Sequence, residues 1–364
     1  LLFPILKEIQ SSKLLELQLV ATTMHFSEEF GNTYKQIESD GFLINEKIEN
    51  LLSSDTKGSI AKSTGLATIL LSDAFSRLNP DVVLILGDRF ETHAAATTAM
   101  LMNIPIAHIH GGEITEGAID EKIRHSITKM SSLHFTSTGE YRNRIKQMGE
   151  SSDTVFSFGA PGIDNIFNME LLSKRELEAE LGWKITGVSA LFTYHPETLS
   201  EVDSKYEIKE ILKIINESNL NVLFTYANSD DGGRIINNEI EKFALKRKDR
   251  FIVVKSLGQL KYLSAMKHLN FVMGNTSSGI IEAASFNKPV INIGGRQLGR
   301  LQSGNVINCE IHQLKDGIKK VISSEFCKKV SNLENIYGTG GVSKKIVKIL
   351  ECKKISSIKR FQNI

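Results

Sequence analysis

At 364 residues, with 41% apolar and 24% charged side chains, the chain suffices for two domains of about 150–200 residues, each able to bury a core. That composition excludes a disordered or membrane-embedded chain, and a formal charge of +2 leaves only a short Lys-rich stretch (Lys344, Lys345, Lys348, Lys353, Lys354), read as a solvated helix face and not a nucleic-acid patch. Cys309, Cys327 and Cys352 form no CxxC pair, which excludes a disulfide framework and a cysteine zinc site and makes a reducing cytoplasm the expected compartment.

The chain opens with Leu1-Leu2-Phe3-Pro4 and a predicted amphipathic helix, a pattern in which no signal peptide is expected. The first strand of a doubly wound sheet is central, so a strand and its loop are expected to precede residue 1. Strands are predicted over 17–21, 82–86, 104–109, 133–136 and 155–158, and helices over 61–77, 91–102, 120–130 and 139–148. After Gly159-Ala160-Pro161-Gly162 the pattern restarts with a helix over 173–181. Strands at 190–194, 222–226, 251–255, 271–273 and 290–293 follow, and a last helix spans about 342–353. None of the apolar runs approaches the ~20 residues of a membrane span.

Short apolar strands separated by helices predict parallel sheets covered on both faces. The expected fold is α/β, with two Rossmann-like doubly wound domains facing a cleft. The expected boundaries are 1–165, 166–345 and a tail of 346–364 that crosses back onto the first domain. Ligands in such folds sit at the carboxyl ends of strands.

The polar residues of interest fall there. Asp88 and Arg89 end the strand 82–86; an Asp at that place also caps helices, but an acid beside a guanidinium suits an anionic ligand. The strand 104–109 runs into His110-Gly111-Gly112-Glu113, where two glycines allow close backbone approach. His108 and His110 alternate with Ile109 and would share one face of a strand. Asp120 and Glu121 occupy the first turn of the next helix, where the dipole alone favours acids. Four carboxylates (Asp88, Glu113, Asp120, Glu121) with His110 exceed what capping needs and point to general acid–base chemistry.

In the second half, Gly274-Asn275-Thr276-Ser277-Ser278-Gly279 joins a strand to a helix predicted over 280–285, a phosphate-binding arrangement of small residues, hydroxyls and free amides. Glu282 is placed to hold ribose hydroxyls, and Arg296 in Gly294-Gly295-Arg296-Gln297 offers a fixed cation to a diphosphate. Tyr194-His195-Pro196-Glu197-Thr198 and Ala227-Asn228-Ser229-Asp230 also follow strands. Neither a Walker lysine loop nor a GxGxxG helix start is present, so neither ATP nor a nicotinamide cofactor is expected, and no spacing supports a metal.

These segments, with Met24-His25, resemble the UDP-N-acetylglucosamine 2-epimerase family over residues 24 to 300, and more closely its hydrolysing branch, which feeds sialic and related nonulosonic acids. The carrying motifs are Leu86-Gly87-Asp88-Arg89-Phe90, His108 to Glu113, Ile119 to Ser126, His195 to Thr198, Gly274 to Glu282 and Gly294 to Gln297, in that order. The resemblance implies a glycosyltransferase-B fold and a homodimer or homotetramer, with no cofactor. It implies that Asp88, the residue at 110, Asp120 and Glu121 face the sugar, that His195 lies near the diphosphate, and that Arg89, Asn228, Ser277, Ser278, Glu282 and Arg296 bind the nucleotide. His25 would line the cleft. Many relatives carry Glu where this chain has His110, which leaves Glu113 as a second candidate base.

The implied reaction is elimination of UDP to a 2-acetamidoglucal, followed by protonation at C2 and addition of water at C1. The expected substrate is UDP-N-acetylglucosamine, with N-acetylmannosamine and UDP as products. The alternative substrate is UDP-2,4-diacetamido-2,4,6-trideoxyglucose; further rivals are a non-hydrolysing epimerase, a glycosyltransferase of the same fold and a non-catalytic UDP-sugar sensor.

Overall fold

The computed structural model describes residues 1–54, 56–116, 118–197, 203–228 and 232–363. Two compact units emerge: unit 1 comprises Leu1–Ile114, Ile119–Asn168 and Tyr337–Ile364, and unit 2 comprises Thr115–Ala118 and Met169–Ile336.

In chain order unit 1 runs α1 (Phe3–Ser11), β1 (Val20–Thr22), α2 (Tyr34–Ser39), β2 (Glu46–Ile48), α3 (Lys57–Leu78), β3 (Val83–Leu86), α4 (Phe90–Leu101), β4 (Ile106–Ile109), α5 (Asp120–Met130), β5 (Leu133–Thr136), α6 (Gly139–Gln147), β6 (Val155–Ser157) and α7 (Gly162–Asn168). Strands β3-β4-β5-β6 form a parallel sheet in sequential order, and β1 pairs with β2 in a separate parallel two-stranded sheet. Alternation along β4 divides the core. Ile106 packs with Ala67, Leu71, Ala94 and Ile127 of α3, α4 and α5, while Ala107 and Ile109 turn to the opposite face.

Unit 2 continues with α8 (Lys174–Leu181), β7 (Ser189–Thr193), α9 (Ser204–Glu217), β8 (Asn221–Thr225), α10 (Gly233–Ala244), β9 (Phe251–Val254), α11 (Gly258–His268), β10 (Phe271–Gly274), α12 (Ser277–Ile281), β11 (Val290–Ile293), β12 (Val306–Cys309), α13 (Leu314–Val321) and α14 (Ser324–Val330). Its six strands are all parallel, in the order β12-β11-β10-β7-β8-β9. The first strand is central and the chain winds outward in one direction, then in the other. That order puts the switch point between β7 and β10, where a doubly wound sheet opens a crevice at its carboxyl edge. Helices α9, α10, α13 and α14 cover one face through Ile208, Ile211, Ile236, Ile240, Leu314 and Val330; α8 and α11 cover the other through Leu177, Ala265 and Met266.

The last helix, α15 (Val342–Cys352), lies in unit 1, where Val342, Ile346, Val347 and Leu350 pack with Ile5 and Ile9 of α1 over Ala107, Ile109, Leu133 and Phe135. The return begins at Tyr337, so residues 337–345, expected with the second domain, lie with the first. The physical reason is a borrowed cap. Gly341 heads α15 without a side chain, and both oxygens of Asp164 accept from the amides of Val342 and Ser343, at 3.0 and 2.7 Å.

Three further expectations are corrected. Residues 17–19 lie outside the strand, which starts at Val20. The helix expected over 280–285 is α12, which starts earlier and stops at Ile281, and a 3-10 turn over Ala283–Phe286 replaces its second half. β4 ends at Ile109, and His110 adopts φ +66, so His108 and His110 do not alternate on one strand.

Candidate functional site

In unit 1 the candidates gather at the carboxyl ends of β3 and β4, which are neighbours: Leu86 is in register with Ile109, and the Gly87 amide donates to Ile109 O at 3.0 Å. His110 takes a left-handed backbone that non-glycine residues rarely adopt, a conformation concentrated at functional sites. Its amide is anchored on Phe135 O of β5 at 3.0 Å. The left-handed turn swings the imidazole onto Glu113, with Nδ1 2.5 Å from Oε1. Glu113 is 1% exposed, and the same Oε1 accepts from Ser137 Oγ at 2.8 Å. A carboxylate on Nδ1 holds the proton there and leaves Nε2 as the basic atom of the neutral ring.

The Gly111-Gly112 turn makes this approach possible. Gly112 has φ +76, and a Cβ there would lie 2.5 Å from Tyr141 O of α6. The same loop is held from α6 by Arg144 Nη1, which donates to Gly112 O at 2.5 Å.

Beside it, Asp88 forms an ion pair with Arg124 of α5, a side chain 1% exposed. Arg124 also approaches Glu121 Oε2 at 3.8 Å, and Glu121 Oε1 meets His125 Nε2 at 2.9 Å. Arg124, missed in the sequence reading, therefore links two carboxylates that it had singled out. Its spacing from Glu121, one helical turn, was the available signal. Asp120 is buried in the first turn of α5. Arg89 heads α4 and pairs with Glu91 at 2.8 Å. His25 sits exposed in a 3-10 turn after β1, with Nδ1 2.8 Å from Thr33 Oγ1.

His108 is a fully buried structural histidine. Nε2 contacts Gly87 O at 2.8 Å, just ahead of Asp88, and burial holds its pKa down at about 3.

In unit 2 the candidates gather at the switch point. Asn275, fully buried after β10, clasps the backbone of His195 after β7: Oδ1 accepts from its amide at 2.7 Å and Nδ2 donates to its carbonyl at 2.8 Å. The Asn228 amide donates to His195 Nδ1 at 3.1 Å, so in the neutral ring Nε2 carries the proton and can donate to an anionic oxygen. Arg296 Nη1 and Gln297 Nε2 both donate to Asn275 O, at 3.3 and 2.8 Å. Glu197, which the sequence reading quoted in a motif but did not choose, takes the amides of Gly295 and Arg296 on one oxygen at 2.9 and 3.3 Å. Burial pushes its carboxyl above the usual range, while those amides pull the other way.

Ser277 opens α12, Thr276 caps it through the Ser278 amide, and the Ser278 hydroxyl bonds the Glu282 carboxylate. Glu282 is 4% exposed. At Gly274 the backbone of β10 runs tight against β7: at φ +131 a Cβ would lie 1.8 Å from Thr193 O. The cradle unites a histidine, a guanidinium, hydroxyls and a helix start, an arrangement suited to phosphate oxygens. Thr198, Ser229 and Asp230, quoted in the sequence motifs, lie outside the described residues.

Among the described residues no cluster of His, Cys, Asp and Glu has the arrangement of a metal site, and no helix is long and apolar enough to cross a membrane.

The chain as a whole is similar to known proteins. The chain is 46% identical to a GDP/UDP-N,N′-diacetylbacillosamine 2-epimerase (hydrolyzing) of Campylobacter jejuni over 88% of this chain and 83% of that one. It is 34% identical to a UDP-N,N′-diacetylbacillosamine 2-epimerase (hydrolyzing) of Legionella pneumophila over 95% and 91%. The fold matches the crystal structure of UDP-GlcNAc 2-epimerase from Neisseria meningitidis bound to UDP-GlcNAc with a TM-score of 0.79, at 21% identity and over 96% and 95% of the two chains. The two Rossmann-like units thus make a fold of the glycosyltransferase-B type. A family model described as UDP-N-acetylglucosamine 2-epimerase matches residues 7–351, and the chain is an enzyme of the UDP-N-acetylglucosamine 2-epimerase family.

Proposed function

We propose that this enzyme is a hydrolysing 2-epimerase of UDP-N,N′-diacetylbacillosamine, which is UDP-2,4-diacetamido-2,4,6-trideoxyglucose, and that it releases UDP and the sugar epimerised at C2. The observation that carries this reading is the 46% identity to an enzyme named for that substrate, with a second so named at 34%. Both favour it over UDP-N-acetylglucosamine, the substrate expected from sequence; that sugar stands second, because the family model bears its name.

The residues support a two-stage reaction. His110 Nε2, backed by Glu113 on Nδ1, removes the C2 proton as the C1–O bond breaks, and UDP departs with the bonding electrons. His195 and Arg296, with Ser277, Ser278 and the start of α12, stabilise the charge growing on the leaving diphosphate. An acid of the Asp88–Arg124–Glu121 set, or Asp120, then delivers a proton to C2 of the glycal from the opposite face. Water supplies the oxygen at C1, so substrate and one water give free sugar and UDP.

The test is incubation of UDP-N,N′-diacetylbacillosamine, its GDP counterpart and UDP-N-acetylglucosamine in deuterated water, with mass analysis of the products. The reading expects free epimerised sugar carrying one deuterium at C2, and UDP, from the first of these. An intact UDP-sugar as sole product, or release of UDP from UDP-N-acetylglucosamine alone, would overturn it.

A further inference from the structure

One buried oxygen, Oε1 of Glu113, receives two donors: His110 Nδ1 at 2.5 Å and Ser137 Oγ at 2.8 Å. The three residues are 7%, 1% and 3% exposed in the order His110, Glu113, Ser137. Ser137 is supplied by another strand. It follows β5, whereas His110 and Glu113 follow β4, and the two strands are locked in register through Ile109 and Phe135. The neighbouring Thr138 caps α6 by accepting from the Tyr141 amide. The Ser137 hydroxyl is thus not spent on the helix cap, and its donor goes to a carboxylate that already serves His110.

We propose that Ser137 is a positioning residue of the reaction, acting through Glu113 to fix the orientation and proton affinity of the His110 ring; this rests on the reading of His110 as the base. The terminal torsion of a glutamate is broad, so one bond to a histidine leaves the carboxylate free to swing. A second donor from a fixed strand end removes that freedom and holds His110 with it. It also shares the carboxylate charge between two donors, which tempers the support Glu113 gives to an imidazolium. Loss of the hydroxyl therefore has two effects of known sign: a less ordered base, and a more basic one.

The test is Ser137→Ala with Ser137→Thr, assayed on the nucleotide sugar that the enzyme turns over. S137A is expected to lower kcat about tenfold with KM within about twofold, and to move the acidic limb of the kcat profile upward, as general-base catalysis requires. S137T, which retains a hydroxyl, restores both. An NMR titration of the His110 imidazole in the free enzyme gives the same upward shift without any substrate. Unchanged kcat with an unmoved limb in S137A would overturn the proposal, as would loss of Tm with no recovery in S137T. If S137A does not fold, S137C, near in size and a weak donor, is read by the same criteria. His110→Gln is run alongside: full turnover in H110Q would defeat the base reading itself, whereas a dead H110Q with a normal S137A defeats only the role of Ser137.

Discussion

Asp88 shows why residue type and neighbour must be read together. Its carboxylate is paired with Arg124, and Arg124 is almost wholly buried, so the pair holds both groups at the end of β3. Asp88→Asn keeps shape and removes charge. It is expected to lower kcat at least about 100-fold, the range of a lost acid–base group, and to lower Tm as well, because it leaves a buried guanidinium with a weaker partner. Affinity for UDP should stay within a few-fold, since the proposed nucleotide contacts belong to unit 2. Steady-state kinetics, a thermal melt and UDP titration by calorimetry check the three in turn; unchanged turnover would remove Asp88 from the mechanism. The acidic residues themselves were legible in the sequence. Of their partners, Arg124 left only its one-turn spacing from Glu121 and Ser137 left no signal, because a helix residue and a strand-end serine acquire full meaning only when α5 and β5 are packed.

At the level of elements, the loop after β4 depends on Gly112, where positive φ and contact with α6 coincide. Gly112→Ala is expected to cost about 2–4 kcal/mol, combining left-handed strain with overpacking, and to lower kcat by displacing His110. Urea denaturation and kinetics check this; a fully stable and active variant would contradict the geometry. Strand and helix positions were otherwise well marked by periodicity, as at α5 and β10. The missed strands share a cause. β2 carries Glu46 and Lys47, and β12 carries Asn308, so neither reads as a continuous apolar run. α12 stops at Ile281 and gives way to a 3-10 turn over Ala283–Phe286 that ends on Asn287 in a left-handed conformation, a local change of winding that periodicity does not encode.

For the whole molecule, pH is the informative variable. His108 and His134 are fully buried and face each other across β4 and β5. Burial depresses both from the usual 6.5, His108 to about 3. An unfolded chain therefore binds protons below about pH 6.5 that the native state refuses, and stability falls by up to about 1.4 kcal/mol per pH unit for each. Glu150 adds to this. Burial alone would raise its carboxyl, but hydrogen bonds from His134, Lys129 and Lys359 bring it down from 4.5 to about 2. Its contribution is complete above about pH 4.5 and disappears as pH falls towards 2. All three terms have one sign. Tm is expected to fall steadily from pH 7 to pH 4 in calorimetry; a flat profile would refute the buried state of these groups.

Taken alone, the order of apolar runs determined two parallel α/β units, and the residues after the strands marked which side chains are candidates for chemistry, since strand ends place polar groups where backbone approach is open. The tertiary structure decided the rest. It turned His110 out of its strand through a positive φ, set Glu113 behind that histidine as its support, returned the chain to unit 1 at Tyr337 through the Asp164 cap, and brought Asn275 onto His195. The first is a backbone torsion imposed by packing, the second is the short-range contact which that torsion opens, and the last two join segments distant in the chain; none leaves a period or a spacing in the sequence to be read.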